Sequence, residues 1–282
     1  MLRGLSLLFW VATGLVVVAS WQLFVLSGQT DRFFAWKIAL PLTAAIDGGF
    51  YLAAVILLVS AARAQTWSEV RHVAWGVLTI STLKLAATLV HFRLFHFDHG
   101  QLTARIAAWG WLVVYAVVPI ALVLLIWAEL RTPGVDPPPE VPMPQLFRGL
   151  AGFLALALVA IGLGLFFAPA AAANRWPWGL TPLTARDLGA WFAGIGVVGG
   201  LAVLYGDLAR SRPVWIGSVA LALLQGVALA RYSESVDWGS STAWLYIGLF
   251  AAVGISGIWG WRGSVADQRP TQAHQARMPR SQ

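Results

Sequence analysis

The sequence predicts an all-α polytopic membrane protein, a bundle of about eight transmembrane helices arranged as two tandem four-helix repeats in parallel orientation. Hydrophobic residues make up 59% of the 282 residues and charged residues only 11%, whereas soluble domains contain about a quarter charged residues. The apolar residues fall into runs of roughly 20, the length that crosses about 30 Å of hydrocarbon. A Pro-Leu-Thr-Ala box begins at residue 41 and again at residue 182. The separation of these two copies, 182 − 41 = 141 residues, defines the repeat offset.

The first apolar run extends from Gly4 to Leu26, directly after Arg3. A signal peptide is the alternative interpretation, because the segment 18–20 has the composition of a cleavage site. The run continues past that segment, so we interpret it as a membrane helix. The other predicted runs lie at 41–62, 72–92, 107–130, 149–168, 186–206, 213–231 and 242–261.

Both copies of the repeated box predict the start of a helix beneath an aromatic interfacial belt. Proline suits the first helical turn, where its missing N–H has no partner to lose. Thr181 directly precedes the second copy and is its predicted N-cap, whereas Leu40 stands at that place in the first copy. A role in a binding site is the alternative. The residues of the box are Pro41, Thr43, Pro182 and Thr184.

A proline-rich segment divides the chain into two membrane units. Residues 1–130 form the first four-helix unit, and residues 131–146 form a semi-rigid cytoplasmic linker. Residues 147–261 form the second unit, and each unit is expected to form its own bundle. The tail, residues 262–282, is polar and basic, so we expect it to be disordered and to contact anionic lipid.

Arginine and lysine in the loops set the predicted orientation. If the N-terminus is cytoplasmic, the cytoplasmic side carries more of these residues than the far side, so both termini are predicted inside. Because each unit has an even number of helices, the two units share one orientation. They are then related by an axis along the membrane normal, as in parallel-repeat transporters.

Two charged residues, Asp47 and Lys84, lie well inside the apolar runs. At 1.5 Å per residue they lie ~9 and ~12 Å from the same membrane face. A lone charge at the bilayer centre costs ~2.5–3.5 kcal/mol, so such residues usually pair or line a cavity. In the repeat, Asp47 aligns with Leu188 and Lys84 with Gln225, so both charges are replaced together, as expected for partners.

Helical spacing places further polar residues beside these two charges. Thr43 and Tyr51 lie one turn either side of Asp47 on one helix face, and a second group shares a face with Lys84 on the next helix. The stripe has two interpretations: a structural ion pair, or a polar cavity for a substrate, ion or proton. Its candidate residues are Asp47, Lys84, Thr43, Ser81, Thr88 and His91.

The histidines suggest one other kind of site. His91, His96, Asp98 and His99 lie close together in the sequence, and His with Asp can bind Zn²⁺. We prefer an interfacial loop in which His alternates with Phe, so His96, Asp98 and His99 are only weak metal candidates and no metal is predicted. Bis-histidine haem is not expected, because His72 and His91 lie at opposite ends of one helix and no other run contains His. No cofactor is predicted.

Composition and motifs disfavour several classes of protein. The chain has no Cys, which rules out disulfides, thiolate metal sites and thiol nucleophiles. It contains no GxSxG, HExxH or P-loop motif, so no catalytic residue is assigned. The net charge of +7 lies at the ends of the apolar runs, where it anchors helices in a membrane. The expected partner is therefore the lipid bilayer and not nucleic acid.

The duplicated box with its aromatic lead-in, together with Thr88–Phe92 and Trp109–Tyr115, resembles a group of predicted bacterial multi-spanning membrane proteins. The resemblance covers most of runs two to seven. That group has no assigned activity, so the resemblance implies a bacterial plasma membrane and no mechanism.

Three classes of function remain open from the sequence. Parallel repeats and buried charges favour a transporter of small molecules or ions. Weak polar content favours a non-catalytic accessory or assembly subunit. A membrane-embedded enzyme is least favoured, because no nucleophile–base pair is visible. A polar cavity at mid-depth would favour the first class, and a tightly filled bundle with a lipid-facing apolar groove would favour the second.

Overall fold

The computed structural model describes residues 3–98, 100–132 and 137–266. Within these ranges the chain forms ten α-helices and no β-strand. The helices are α1 Arg3–Ser20, α2 Thr30–Phe33, α3 Pro41–Arg63, α4 Trp67–Val90, α5 Leu102–Leu130, α6 Gln145–Phe167, α7 Pro169–Ala173, α8 Pro182–Tyr205, α9 Arg212–Arg231 and α10 Ser241–Ala266. A π-helical turn, Trp21–Val25, continues α1.

Eight of these helices are long and apolar enough to span a membrane: α1 with its π-helical turn, α3, α4, α5, α6, α8, α9 and α10. They contain 20 to 29 residues each, so each covers the ~30 Å of a hydrocarbon core. The chain is therefore an all-α multi-pass membrane protein, and the predicted bundle of about eight spanning helices is confirmed.

The repeated box begins α3 and α8. Pro41 and Pro182 occupy the first turns. Thr181 caps α8: its Oγ1 accepts the N–H of Thr184 at 3.2 Å, and Thr184 Oγ1 accepts the N–H of Thr181 at 3.0 Å. This reciprocal pair satisfies two N–H groups at the helix end. Because α8 begins at the box rather than at residue 186, Asp187 lies more than one turn inside the helix.

The spanning helices pack as two rows of four. One row runs α6–α8–α4–α5 and the other runs α1–α3–α9–α10, because these neighbours share the most extensive contacts. The helices α3 and α8 are the most enclosed, because 67% and 56% of the residues in their most apolar stretch are buried. Each row therefore contains two helices from before the linker and two from after it.

The expectation that each half forms its own bundle is wrong. Contacts of α3 with α9 are far more extensive than those with α4, and α8 contacts α4 far more than α9. Each inner helix thus buries a large part of its surface against the other half, and α4 contacts α8 more than any helix of its own half. An isolated half would leave these faces without their packing partners.

Equivalent small residues make the two close contacts between the halves. Where α4 crosses α8, a Cβ added to Gly76 would lie 3.2 Å from the carbonyl oxygen of Gly194. Where α9 crosses α3, a Cβ added to Gly217 would lie 3.9 Å from the carbonyl oxygen of Ala53. The repeat offset relates Gly76 to Gly217, and it also relates Ala53 to Gly194. The absence of side-chain bulk lets these helix backbones approach.

The linker is bound to the turn between α8 and α9. Residues 137–144 are not helical, as their prolines predict. Asp207 in this turn accepts the N–H groups of Glu140 and Val141 at 3.0 and 3.4 Å. Val141 and Met143 are buried. The described part of the linker is thus a packed segment and not a free spacer, while residues 133–136 lie outside the described ranges.

The C-terminal end of α10 differs from the sequence expectation. Disorder was expected from Arg262 onward, but α10 continues as a helix to Ala266. The rest of the basic tail, from residue 267, lies outside the described residues, and so does its expected contact with anionic lipid.

Candidate functional site

Three buried charges meet where the two rows touch. Lys84 of α4 is completely buried, and its ammonium group contacts the carboxylates of Asp187 on α8 and Asp47 on α3. Its Nζ lies 3.8 Å from Oδ1 of Asp47, and Asp187 is the closer partner. Two carboxylates therefore flank one ammonium group, and the three side chains join helices from both halves.

Asp187, the closer partner of Lys84, was not among the residues predicted from the sequence. This residue stands at the first positions of the predicted run 186–206, where a charge is normally assigned to the membrane surface. The capping residue Thr181 was the available signal, because a helix that starts at Pro182 places Asp187 five residues inside. Asp47 lies six residues inside α3, so both carboxylates have similar depth. Pairing between halves, however, has no local sequence signal.

Aromatic rings enclose the ammonium group of Lys84. Its Nζ lies 5.1 Å from the ring centroids of Tyr51 and Trp111, and 5.2 Å from that of Trp191. At these distances the ring faces attract a cation. Trp191 also donates its Nε1–H to Oδ1 of Asp47 at 2.6 Å. The rings thus replace part of the hydration that the buried ammonium group has lost.

Hydrogen bonds hold this aromatic cage in place. The hydroxyls of Tyr51 and Tyr115 are hydrogen-bonded at 2.7 Å. Trp111 donates its Nε1–H to the hydroxyl of Thr88 at 2.9 Å, and that hydroxyl donates to the carbonyl oxygen of Lys84 at 2.7 Å. Thr88, a predicted site residue, therefore positions Trp111 and does not bind the charged groups itself.

Two buried oxygen atoms beside the charges have no hydrogen-bond partner among the described residues. They are Oδ2 of Asp47 and Oγ1 of Thr43, and both residues are 2% exposed. The two residues lie four apart on α3, so their side chains are neighbours on one helix face. Buried polar side-chain atoms are usually hydrogen-bonded. These two atoms therefore mark a place that can take a proton or a small polar group.

The remaining candidates of the predicted stripe make their hydrogen bonds to other groups than the three charges. Ser81 donates to the carbonyl oxygen of Leu78 at 3.2 Å and lines a cavity. His91 follows the end of α4, where Arg186 donates from Nη1 to its Nε2 at 2.6 Å. Burial and the neighbouring Arg186 lower the pKa of His91 below its ordinary value of 6.5. This pair lies at the end of the helix, outside the charged site.

The weak metal candidates are not assembled around a common point. Nδ1 of His96 lies 3.0 Å from the carbonyl oxygen of Phe34, and its Nε2 lies 3.6 Å from a carboxylate oxygen of Asp31. Asp98 is exposed, and His99 lies outside the described residues. Across the described ranges, no group of three His, Cys, Asp or Glu side chains could hold a metal ion.

The second half carries an uncharged counterpart of Lys84. Gln225 follows Lys84 by the repeat offset and is completely buried. Its Nε2 donates to the carbonyl oxygen of Ile46 at 3.2 Å, and its Oε1 accepts from the hydroxyl of Tyr246 at 2.8 Å. Ile46 precedes Asp187 by the same offset. Gln225 thus donates to the backbone carbonyl of Ile46, whereas Lys84 pairs with the carboxylate of Asp187, the residue that stands one repeat offset after Ile46.

A cavity of about 900 Å³ lies between the two rows, directly beside the charged site. Its walls come from all eight spanning helices and are mainly apolar. Tyr51, Trp111 and Trp191 belong both to this wall and to the cage around Lys84, and Tyr115 also lines the cavity. The volume falls in the range of small-molecule sites, about 300–1,000 Å³.

The cavity reaches the outer surface of the protein between α1 and α5. Leu7 and Val11 of α1 line it, as do Ile106 and Val117 of α5, and all four side chains are more than half exposed. Exposed apolar side chains on membrane-spanning helices face the lipid. A molecule dissolved in the hydrocarbon core can therefore reach the cavity without crossing a polar surface.

Fold and site together define an α-helical multi-pass membrane protein with buried charges beside an apolar cavity. Comparison with protein-family models, with curated proteins and with solved structures gives no match for this chain.

Proposed function

We propose that the protein is a transporter that moves a small apolar or amphipathic molecule through the membrane. The observation that carries this proposal is the buried contact of Lys84 with Asp47 and Asp187, which joins the two halves beside a cavity. Ionisable residues inside a membrane are costly and often mark substrate or ion pathways. In many transporters the binding site lies between two internal repeats.

A tandem repeat of residues 1–130 and 147–261 is part of this proposal. It is supported by the matched helix crossings, Gly76 on Gly194 and Gly217 on Ala53. It is also supported by the equivalent positions of Lys84 and Gln225. Repeats in parallel orientation, related by an axis along the membrane normal, can rock against each other and open a central site to alternate sides.

The proposed location is a bacterial plasma membrane with both termini in the cytoplasm. The excess of Arg and Lys on the N-terminal side supports this orientation. Because the chain has no native Cys, single-Cys variants can be labelled without background. In intact cells, an impermeant thiol reagent should label Asn174→Cys and leave Ala273→Cys unlabelled. The reverse pattern would overturn the orientation.

The proposed substrate class follows from the walls of the cavity. They are mainly aliphatic and aromatic, and the few polar residues among them include Gln22, Tyr51, Ser81 and Tyr115. The charges lie behind Tyr51, Trp111 and Trp191 rather than on the wall itself. Such a cavity suits a molecule with an apolar body and at most one or two hydrogen-bonding groups.

The test is flux through the purified protein in liposomes, with a panel of labelled apolar and amphipathic solutes. The native protein should move at least one of them. The double variant Lys84→Gln, Asp187→Asn keeps hydrogen-bonding groups but removes both charges, so it should fold and lose that flux. The control Asp31→Asn removes a half-exposed carboxylate elsewhere and should retain it. Absence of flux, or full flux in the double variant, would contradict the proposal.

An accessory or assembly subunit is the second candidate function. The opening of the cavity between α1 and α5 favours it, because this apolar groove can also receive a helix of another membrane protein. A photo-crosslinking amino acid at Val11 distinguishes the two. A single protein crosslinked in stoichiometric amounts in native membranes, together with no flux in liposomes, would favour the accessory function.

A further inference from the structure

The charges of the buried site do not balance. Asp47 and Asp187 contribute two negative charges when both are ionised, and Lys84 contributes one positive charge. The other titratable side chains facing Asp47 are Tyr51 on its own helix and Tyr115 from α5, which are neutral phenols at physiological pH. The neighbouring groups from α8 and α9, the indole of Trp191 and the amide of Gln225, carry no charge. A net charge of −1 in the membrane interior is energetically costly.

The two carboxylates are not equivalent. Asp187 makes the closer contact with the ammonium group of Lys84, which stabilises its ionised form. Asp47 accepts one N–H from Trp191 at Oδ1, and no described residue hydrogen-bonds to its Oδ2. A carboxylate oxygen that is buried without a donor is costly, whereas a protonated oxygen becomes a donor itself. The excess charge is therefore removed at lowest cost by a proton on Oδ2 of Asp47.

The hydroxyl of Thr43 is a second buried polar atom near Asp47. It lies one helical turn closer to the start of α3 than Asp47, and no described residue occupies its hydrogen-bonding capacity. In the protonated state Oδ2–H of Asp47 can donate to the carboxylate of Asp187, whose side chain lies within hydrogen-bonding reach of Asp47. Oγ1 of Thr43 and Oδ2 of Asp47 are not hydrogen-bonded to each other. Thr43 also lies between Asp47 and the membrane face that the start of α3 approaches.

We propose that this site binds one exchangeable proton, carried on Oδ2 of Asp47, and that this proton is the ion coupled to transport. Hydronium delivers the proton to the carboxylate and leaves as water, and the reverse step releases it. The coupling depends on the transport function proposed above, whereas the proton site itself does not. Proton binding changes the net charge of the site from −1 to zero and weakens the electrostatic attraction between Asp47 and Lys84.

Charge balance predicts the number of protonated carboxyl groups in each variant. The native site should hold one. Asp47→Asn and Asp187→Asn should each hold none, because the single remaining carboxylate balances Lys84. Lys84→Gln should hold two, because no cation remains. A purely structural ion pair between Lys84 and one aspartate would not produce this series.

Infrared spectroscopy of the protein in liposomes at neutral pH tests this series. Carbon-13 in the Asp carboxyl groups identifies the absorption of protonated Asp, since exposed Asp is ionised at this pH. Asp207→Asn is the matched control: Asp207 is also buried, but Arg210 and backbone N–H groups compensate its charge, so the native band should remain. Thr43→Val should leave the band in place, because Oγ1 of Thr43 is not hydrogen-bonded to Oδ2 of Asp47.

Absence of the protonated-carboxyl band from the native protein would overturn the proposal. So would an undiminished band in both Asp47→Asn and Asp187→Asn. The two Asn variants suffice if Lys84→Gln does not fold. A normal series of bands without flux in liposomes would refute the transport function and leave the proton site intact, whereas flux without the band would refute the proton site alone.

Discussion

Replacing Lys84 by Met removes the ammonium group that the two carboxylates share. The methionine side chain has similar length and volume, so the packing within the aromatic cage is largely retained. Removing one partner of a buried ion pair typically costs about 3–5 kcal/mol. The variant leaves the carboxyl groups of Asp47 and Asp187 buried without their cation.

We therefore expect Lys84→Met to lower the free energy of unfolding by about 3–5 kcal/mol at pH 7. The loss should be smaller at lower pH, because protons then neutralise the buried carboxylates that have lost their cation. The measurement is equilibrium unfolding in mixed micelles, followed by circular dichroism. A loss that is independent of pH would show that packing, and not charge, causes it.

Asp187→Asn provides the matching half of a double-mutant cycle. In the double variant no ionised carboxylate is left without its cation, so the combined loss should be smaller than the sum of the single losses. We expect a coupling of about 0.5–3 kcal/mol, the range measured for residues in contact. Asp207→Asn, at the other end of α8, should instead add to Lys84→Met. Strict additivity between Lys84 and Asp187 would refute the pairing.

Three further predictions concern other parts of the fold. Burial and the guanidinium group of Arg186 lower the pKa of His91. Its neutral form therefore contributes stability above pH 6.5, and this stability is lost as the pH falls towards the lowered pKa. His91→Gln should flatten this part of a plot of melting temperature against pH. Gly162→Ala places a Cβ 2.7 Å from the carbonyl oxygen of Gly189, so it should lower the unfolding free energy by about 1–3 kcal/mol. The control Gly226→Ala lies on the exposed side of α9 and should not lower it. Asp207→Ala should lower the unfolding free energy by about 1–3 kcal/mol for each buried N–H group that is left without an acceptor. Glu140→Ala is the control and should lower it little, because the carboxylate of Glu140 is exposed. Equal losses would contradict the role of Asp207 in holding the linker.

Sequence patterns predicted the features that depend on local chemistry. Run length and hydrophobicity specify the spans because the bilayer imposes a length of about 20 residues on any helix that crosses it. Proline and threonine specify where α8 begins, because the free N–H groups of a helix end need partners close in sequence. The depth of Asp47 and Lys84 followed from the same helical rise, which is why their contact could be anticipated.

The arrangement of the helices was decided by tertiary structure alone. Apolar runs of similar composition do not specify which neighbour each helix takes, and close contacts such as Gly76 on Gly194 arise between residues far apart in sequence. This is why the separate bundles predicted from the sequence are replaced by rows that mix both halves. It is also why Asp187 was missed: its partner is 103 residues away, and that contact exists only because α8 packs against α4.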